Sequence, residues 1–126
     1  MKTIVFPAAS LAIAITIISI ASSAAQDPNG KRPGTDEAAA VEQANKQIDV
    51  VYKELMNKLD VEGQKSLREA QRSWIKWRDD EAVLIARVGG AIGGSALRVD
   101  FLTAQASLIR ERTAVLKAYL DRSGNN

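Results

Sequence analysis

The sequence predicts an all-α protein, an antiparallel three-helix bundle, from three observations. Three long segments repeat apolar residues every three or four positions, which is the period of a helix that packs on one face. A capping residue or a run of glycines separates each segment from the next. No segment alternates apolar and polar residues as a half-buried strand does. Short connections between long helices favour an antiparallel bundle.

Composition narrows the class of function before any motif is considered. The chain has 126 residues, the length of one domain, and contains neither cysteine nor histidine. Disulfides, thiolate metal sites, a cysteine nucleophile and the commonest general base are therefore excluded, so we expect no metal, no cofactor and no enzymatic activity. The 17 Lys and Arg against 15 Asp and Glu give a net charge of +2, which is too small for a nucleic-acid-binding surface.

The first 25 residues have the order of a secretory signal peptide. Lys2 precedes an apolar segment centred on residues 11–20, and small residues follow up to Ala25. We predict cleavage after Ala25, and hence a periplasmic or secreted protein without membrane contact after cleavage. The alternative, a retained anchor, is disfavoured because the apolar segment is short for a span of about 20 residues. Pro7 also disfavours a straight helix.

The rest of the chain divides into a leader, three helices and a tail. Residues 26–34 hold two Pro and two Gly without an apolar residue, which predicts a flexible leader. Thr35 or Asp36 can cap the first helix, Asp60 the second and Ser95 the third. The predicted helix ranges are about 35–59, 61–88 and 96–120. The three-helix domain is thus predicted over residues 35–122, with a frayed tail at 123–126.

The predicted core includes two tryptophans on the second helix. The buried face of that helix is predicted from helical spacing: Leu67, Ala70, Trp74, Trp77, Glu81, Leu84 and Val88. Trp74 and Trp77 could alternatively form a sugar-stacking platform, but the apolar face of a central helix favours a core role. Tyr52 and Leu108 join them in the predicted core.

A partly buried polar cluster is predicted around Arg78 and Glu81, which lie one turn apart. The register set by the short connections places three further polar residues within reach: Glu42, Asn45 and Gln105. Without histidine or metal-ligand spacing, we interpret the cluster as a network that fixes helix register rather than as a ligand site. The consecutive carboxylates at residues 79–81 point about 100° apart, so they cannot converge on one substrate atom.

The glycine-rich segment at residues 88–95 is the candidate binding site. Its four glycines stop a helix, and eight residues are more than a tight helical hairpin needs. Ile92 is predicted to stand exposed at the tip between two cations, where it can insert into a cleft. The alternative is a plain connection between helices. The predicted partner-binding residues are Arg87, Gly89, Gly90, Ile92, Gly93, Gly94 and Arg98.

Three segments of the chain resemble the LprI-like lysozyme-inhibitor family of small exported bacterial all-α domains. They read D-V-V-Y at residues 49–52, A-Q-R-S-W followed by R-D-D-E between residues 70 and 81, and R-E-R-T at residues 110–113. The second run is the most specific, and the resemblance covers about residues 38–120. It implies that two cysteines common in the family are replaced here by Ala82 and Ala104.

The resemblance implies a periplasmic or secreted protein that binds and inhibits lysozyme or another peptidoglycan hydrolase. The residues favour steric occlusion by the glycine-rich segment rather than chemistry. A hypothesis from another class is a structural or adaptor module of the cell envelope with no inhibitory activity, in which the exposed helix faces form the interface. These two hypotheses differ in whether the glycine-rich segment contacts a partner.

Overall fold

The computed structural model describes residues 30–124, which contain three helices. They are α1 (Thr35–Lys58), α2 (Val61–Val88) and α3 (Gly94–Ser123). The described residues contain no strand, in agreement with the predicted all-α class. The predicted signal peptide and most of the predicted leader lie outside them. Within residues 30–124, no helix combines the length and apolar character that crossing a bilayer requires.

The helix starts follow the predicted caps only in part. The prediction for α2 is confirmed, because Asp60 Oδ1 accepts a hydrogen bond from the Gly63 backbone N–H at 2.8 Å. At α1 the prediction is wrong, because Gly34 precedes the helix in a left-handed conformation and no side chain caps it. The Thr35 hydroxyl instead donates backwards to the Arg32 carbonyl at 2.7 Å.

The third helix begins two residues earlier than predicted. Gly94 is its first residue, so Ser95 lies inside the first turn and does not cap the helix. The residue before the helix is Gly93, which has no side chain to offer. The connection between α2 and α3 is therefore Gly89–Gly93, five residues rather than eight.

The third helix is the centre of the packing. It contacts both other helices extensively, whereas α1 and α2 scarcely touch each other. Its buried Ile109 and Leu116 pack with one face of α1 and with Leu67 of α2. The residues that α1 contributes to this main cluster are Ala44, Ile48, Val51 and Leu55. The expected packing of α1 against α2 is almost absent, because α1 packs on α3 instead.

A second, smaller cluster joins α2 to α3 nearer the glycine-rich connection. It contains Ala82, Ala104 and Leu108, with Phe101 packed against it. The small side chains of the two alanines let the helices approach closely at this point. The positions where the family resemblance implies lost cysteines thus lie in one buried cluster. Tyr52 is partly buried and packs against the main cluster, not this one.

The packing leaves much of the predicted face of α2 uncovered. Trp77 is 49% exposed, Leu84 55% and Val88 79%. The prediction that Trp77 belongs to the core is therefore wrong, whereas Trp74 is half-buried against the main cluster. The cause is the position of α1, which lies along α3 and so does not cover this side of α2.

Candidate functional site

The connection Gly89–Gly93 is held to the end of α2 by backbone hydrogen bonds. The Gly90 N–H donates to the Arg87 carbonyl at 3.0 Å, and the Ala91 N–H donates to the Ala86 carbonyl at 3.2 Å. With Gly90 at a φ of 94°, this pair of bonds forms a Schellman motif, a common way for a helix to end. A side chain at position 90 would strain the left-handed backbone.

Ile92 stands at the tip of this connection as an isolated apolar side chain. It is 92% exposed, whereas its neighbour Ala91 is buried. The hydrogen bonds of the Schellman motif fix the chain up to Ala91, so the connection presents Ile92 from a held position. A backbone held in this way loses little conformational freedom on binding.

The two predicted cations flank the connection, but they do not point at its tip together. Arg87 and Arg98 are both exposed, and neither forms an ion pair with another residue of the described chain. A Cβ atom at Gly34 would lie 3.2 Å from the Arg98 Nε, so this guanidinium stem lies beside the start of α1.

An acidic residue missed by the sequence analysis also lies at the base of the connection. A Cβ atom at Gly89 would lie 4.0 Å from Oδ2 of Asp100, two turns into α3. The base of the connection therefore carries charges of both signs. The position of Asp100 near the start of the third helix was the signal available in the sequence.

The polar cluster around Arg78 joins α2 to α3. The Arg78 guanidinium pairs with Asp79 Oδ1 at 2.8 Å, and Gln105 Nε2 donates to the same oxygen at 2.9 Å. The side chain of Arg78 is only 14% exposed, and its guanidinium lies 5.5 Å from the centroid of the Trp74 ring. This arrangement fits a role in fixing the two helices against each other.

Three predicted members of that cluster lie elsewhere. Glu42 forms an ion pair at 2.7 Å with Lys46 on its own helix, and the hydrogen bond from Lys46 together with its positive charge lowers the pKa of the Glu42 carboxyl. Asn45 and Glu81 form no side-chain hydrogen bond with Arg78 or Gln105. For Glu42 and Asn45 the reason is again that α1 packs along α3, so its polar residues do not face α2.

Two contacts in this region were missed by the sequence analysis. The first is Asp79, which was considered only as a catalytic acid and is in fact the partner of Arg78. The second is Arg112, whose Nε donates to Gln71 Oε1 at 3.2 Å and whose guanidinium lies 5.8 Å from the Trp74 ring. Burial lowers the pKa of Arg112 from its usual high value. The register expected for α2 and α3 places Asp79 level with Gln105 and Gln71 level with Arg112, so it could have revealed these two contacts.

A shallow apolar pocket of about 320 Å³ lies away from the glycine-rich connection, where α1 ends and α2 begins. Its lining residues are Leu55, Leu59, Gly63, Ser66, Leu67, Ala70, Arg112 and Tyr119. The pocket holds a single charged group, and residues 30–124 contain no cluster of three acidic side chains fit to hold a metal ion.

Comparison with known proteins identifies the family. The model of the family described as lysozyme inhibitor LprI matches residues 24–116, well over half of the chain. No curated protein and no solved structure was found to match. The match confirms the family resemblance inferred from the sequence. The chain therefore belongs to the lysozyme inhibitor LprI family.

Proposed function

We propose that this chain is an exported binding protein that inhibits lysozyme or a related peptidoglycan hydrolase by steric occlusion. The family supplies the class of partner. The observation that carries the proposal is Ile92, a nearly fully exposed apolar side chain at the tip of a hydrogen-bonded connection. A prearranged apolar tip suits insertion into a concave site, because little ordering of the chain opposes binding.

Charged groups act at short range in this proposal. The cleft of lysozyme contains a pair of carboxylates, and a guanidinium binds a carboxylate with two parallel hydrogen bonds. Arg87 and Arg98 are exposed and supply such groups, whereas Asp100 moderates the positive charge nearby. A net charge of +2 gives no attraction at long range toward basic lysozymes, so affinity depends on the contact itself.

The proposal includes the order of the three helices. We propose that each helix runs antiparallel to the helix that follows it in the chain, so that the connection between α2 and α3 lies free at one end of the bundle. The contacts of Gln71 with Arg112 and of Asp79 with Gln105 support this order, because rising positions in α2 meet falling positions in α3. The contact of Gly34 with Arg98 supports a parallel course for α1 and α3.

The proposal also includes export. The charged start, apolar segment and small residues up to Ala25 support a cleaved signal peptide. Export would place the protein in the periplasm or the medium, where peptidoglycan and the hydrolases that act on it are found. N-terminal sequencing of the protein recovered from the cell envelope tests this step, with Gln26 expected as the first residue.

A cell-wall lysis assay tests the proposed inhibition. The processed protein is titrated against an animal-type lysozyme at low and at physiological salt, with a boiled sample as control. We expect saturable inhibition that survives physiological salt, because the apolar contact is not screened. No inhibition at tens of micromolar protein, a range in which even weak specific complexes form, would contradict the proposal.

A double substitution tests the part played by the connection. Ile92→Asp with Arg98→Glu should abolish inhibition while leaving helicity intact, because both side chains are exposed. The matched control is Val61→Asp with Lys65→Glu, which makes the same changes on exposed residues at the start of α2. The control should inhibit like the unmodified protein. Equal inhibition by both double variants would contradict the proposed role of the connection.

The second candidate function is a structural or adaptor module of the cell envelope. The observation that favours it is the apolar side of α2, where Trp77, Leu84 and Val88 stand exposed. This hypothesis predicts no inhibition of any hydrolase and an unchanged phenotype for the Ile92 variant. The lysis assay therefore separates the two functions.

A further inference from the structure

One side of α2 carries an apolar surface that the described chain does not cover. Trp77, Leu84 and Val88 are seven and four residues apart, which places them on one side of a helix. We call these three residues the outer stripe. They are 49%, 55% and 79% exposed. Contiguous exposed apolar surface on a small protein marks an interaction site more often than scattered apolar residues do.

The outer stripe points away from α3. Ala82 and Ala86, which are buried, mark the side of α2 that packs on α3. Leu84 follows Ala82 by two positions, so it lies about 200° around the helix axis, almost on the opposite side. The stripe is therefore accessible to a straight partner helix. Ser73, one turn before Trp77, is small and exposed, so it leaves room for a neighbour.

Two opposite charges lie along one edge of the outer stripe. Asp80 and Arg87 are both exposed and are seven residues apart, about 10 Å along the helix. That distance is too long for an ion pair within α2. Asp80 has only an exposed pair with Lys76, at 3.3 Å, and Arg87 forms no ion pair with another described residue.

We propose that the outer stripe binds the outer stripe of a second copy of this chain, with the two α2 helices antiparallel about a twofold axis. If Trp77 lies opposite Val88 of the second copy, the two copies of Leu84 meet near the axis. Measured along the helix axis, Asp80 of one copy then lies about 3 Å from Arg87 of the second copy. The twofold axis repeats this ion pair, so two pairs lie along the same edge of the apolar contact.

The charge pattern favours a second copy over a different partner. When the second copy lies antiparallel, its Arg87 faces Asp80 of the first copy and its Asp80 faces Arg87. An edge with one acidic and one basic residue is thus complementary to itself. A uniformly basic partner would attract Asp80 and repel Arg87. The net charge of +2 opposes association of two copies only weakly. Ile92 and Arg98 lie beyond the stripe, whereas Arg87 belongs both to the edge of the stripe and to the proposed hydrolase contact.

The expected association is weak. The outer stripe consists of three partly exposed side chains and falls short of the roughly 800 Å² per partner that is usual in stable complexes, so we expect a transient dimer. The test therefore needs a wide concentration range. The full chain, expressed with its own N-terminal segment and purified after processing by the host, is studied by analytical ultracentrifugation from about 1 to 500 µM. We expect the mass to rise from monomer to dimer, and a monomer mass throughout would overturn the proposal.

A charge swap tests the antiparallel geometry. Asp80→Arg and Arg87→Asp should each weaken dimerisation about tenfold or more, because each places two like-charged pairs in the interface. The double variant should restore dimerisation to within about threefold, because the reversed charges again face each other. Circular dichroism checks that each variant keeps its helicity. Double and single variants that dimerise equally weakly would overturn the geometry.

Two further variants complete the test. Leu84→Asp should abolish dimerisation, whereas Glu54→Arg, an exposed charge reversal on α1, should leave it unchanged. If the unmodified chain stays monomeric and Leu84→Asp removes lysozyme inhibition instead, the stripe binds the hydrolase and the proposed dimer is wrong. If the single charge reversals weaken dimerisation and the double variant restores it while no inhibition is measured, the dimer is supported and the proposed inhibitory function is wrong.

Discussion

The two halves of α2 contact the rest of the protein in different ways. In the first half, Leu67 is buried, and Gln71 and Trp74 both contact Arg112 of α3. In the second half, only Ala82 and Ala86 are buried, and the large apolar residues face outward. The run of residues 70–81 that carries the family resemblance spans both halves, and Asp79 in the second half still accepts a hydrogen bond from Gln105 of α3. The candidate binding surfaces lie toward the C-terminal end of α2.

The largest contrast is expected between two leucines. Leu116 is fully buried between the helices, so Leu116→Ala should lower the free energy of unfolding by about 3–4 kcal/mol. Leu84→Ala on the exposed half of α2 should lower it by less than about 1 kcal/mol. Urea denaturation followed by circular dichroism measures both. Equal losses would show that the second half of α2 is packed in solution.

The two tryptophans should differ in the same direction. Trp74 packs against the main cluster and against two guanidiniums, so Trp74→Ala should lower the free energy of unfolding by about 2–3 kcal/mol. For Trp77→Ala we expect less than about 1 kcal/mol at concentrations where the chain is monomeric. A larger loss at Trp77 than at Trp74 would reverse the assignment of core and surface.

The glycines of the connection should also differ. Gly90→Ala should lower the free energy of unfolding by about 1–2 kcal/mol, because a side chain is strained at a φ of 94°. Gly93→Ala should have almost no effect, because its backbone is extended and a Cβ there would meet nothing within 4 Å. Thermal melts compare the two. Similar values would mean that the Schellman motif does not hold the connection.

The smallest effect is expected in the polar cluster. Asp79→Asn removes the charge that Arg78 and Gln105 share, but Asp79 is 48% exposed, so water and salt weaken the contribution. We expect a loss of about 0.5–1 kcal/mol that shrinks at high salt. Asp80→Asn is the matched control, since its pair with Lys76 is exposed, and should change stability by less than about 0.5 kcal/mol.

Local signals in the sequence were enough to place the helices. The Asp60 cap and the glycine after Val88 predicted the bounds of α2 as the structure has them. Local signals failed at Ser95, because the backbone freedom of Gly94 lets α3 begin earlier. Residues that determine the end of a helix are neighbours in sequence, which is why this part of the fold is predictable.

Helical spacing did not determine which side of α2 is covered. The spacing of Trp77, Leu84 and Val88 is the same for a buried face and for an interaction surface. The position of α1 along α3 determines which side of α2 is covered. That position depends on contacts between residues that are distant in sequence. Because α1 packs along α3, Glu42 also lies outside the polar cluster. At the candidate site, the exposure of Ile92 was expected from the glycines, but the approach of Asp100 was not.

The most direct test of the account is whether Ile92 enters the cleft of the hydrolase. Binding of the processed protein to lysozyme is measured by calorimetry, with and without a short peptidoglycan-like oligosaccharide that fills the cleft. We predict that the oligosaccharide competes with the protein and that Ile92→Asp binds at least about tenfold more weakly. Binding that neither the oligosaccharide nor the substitution changes would contradict occlusion of the cleft by this connection.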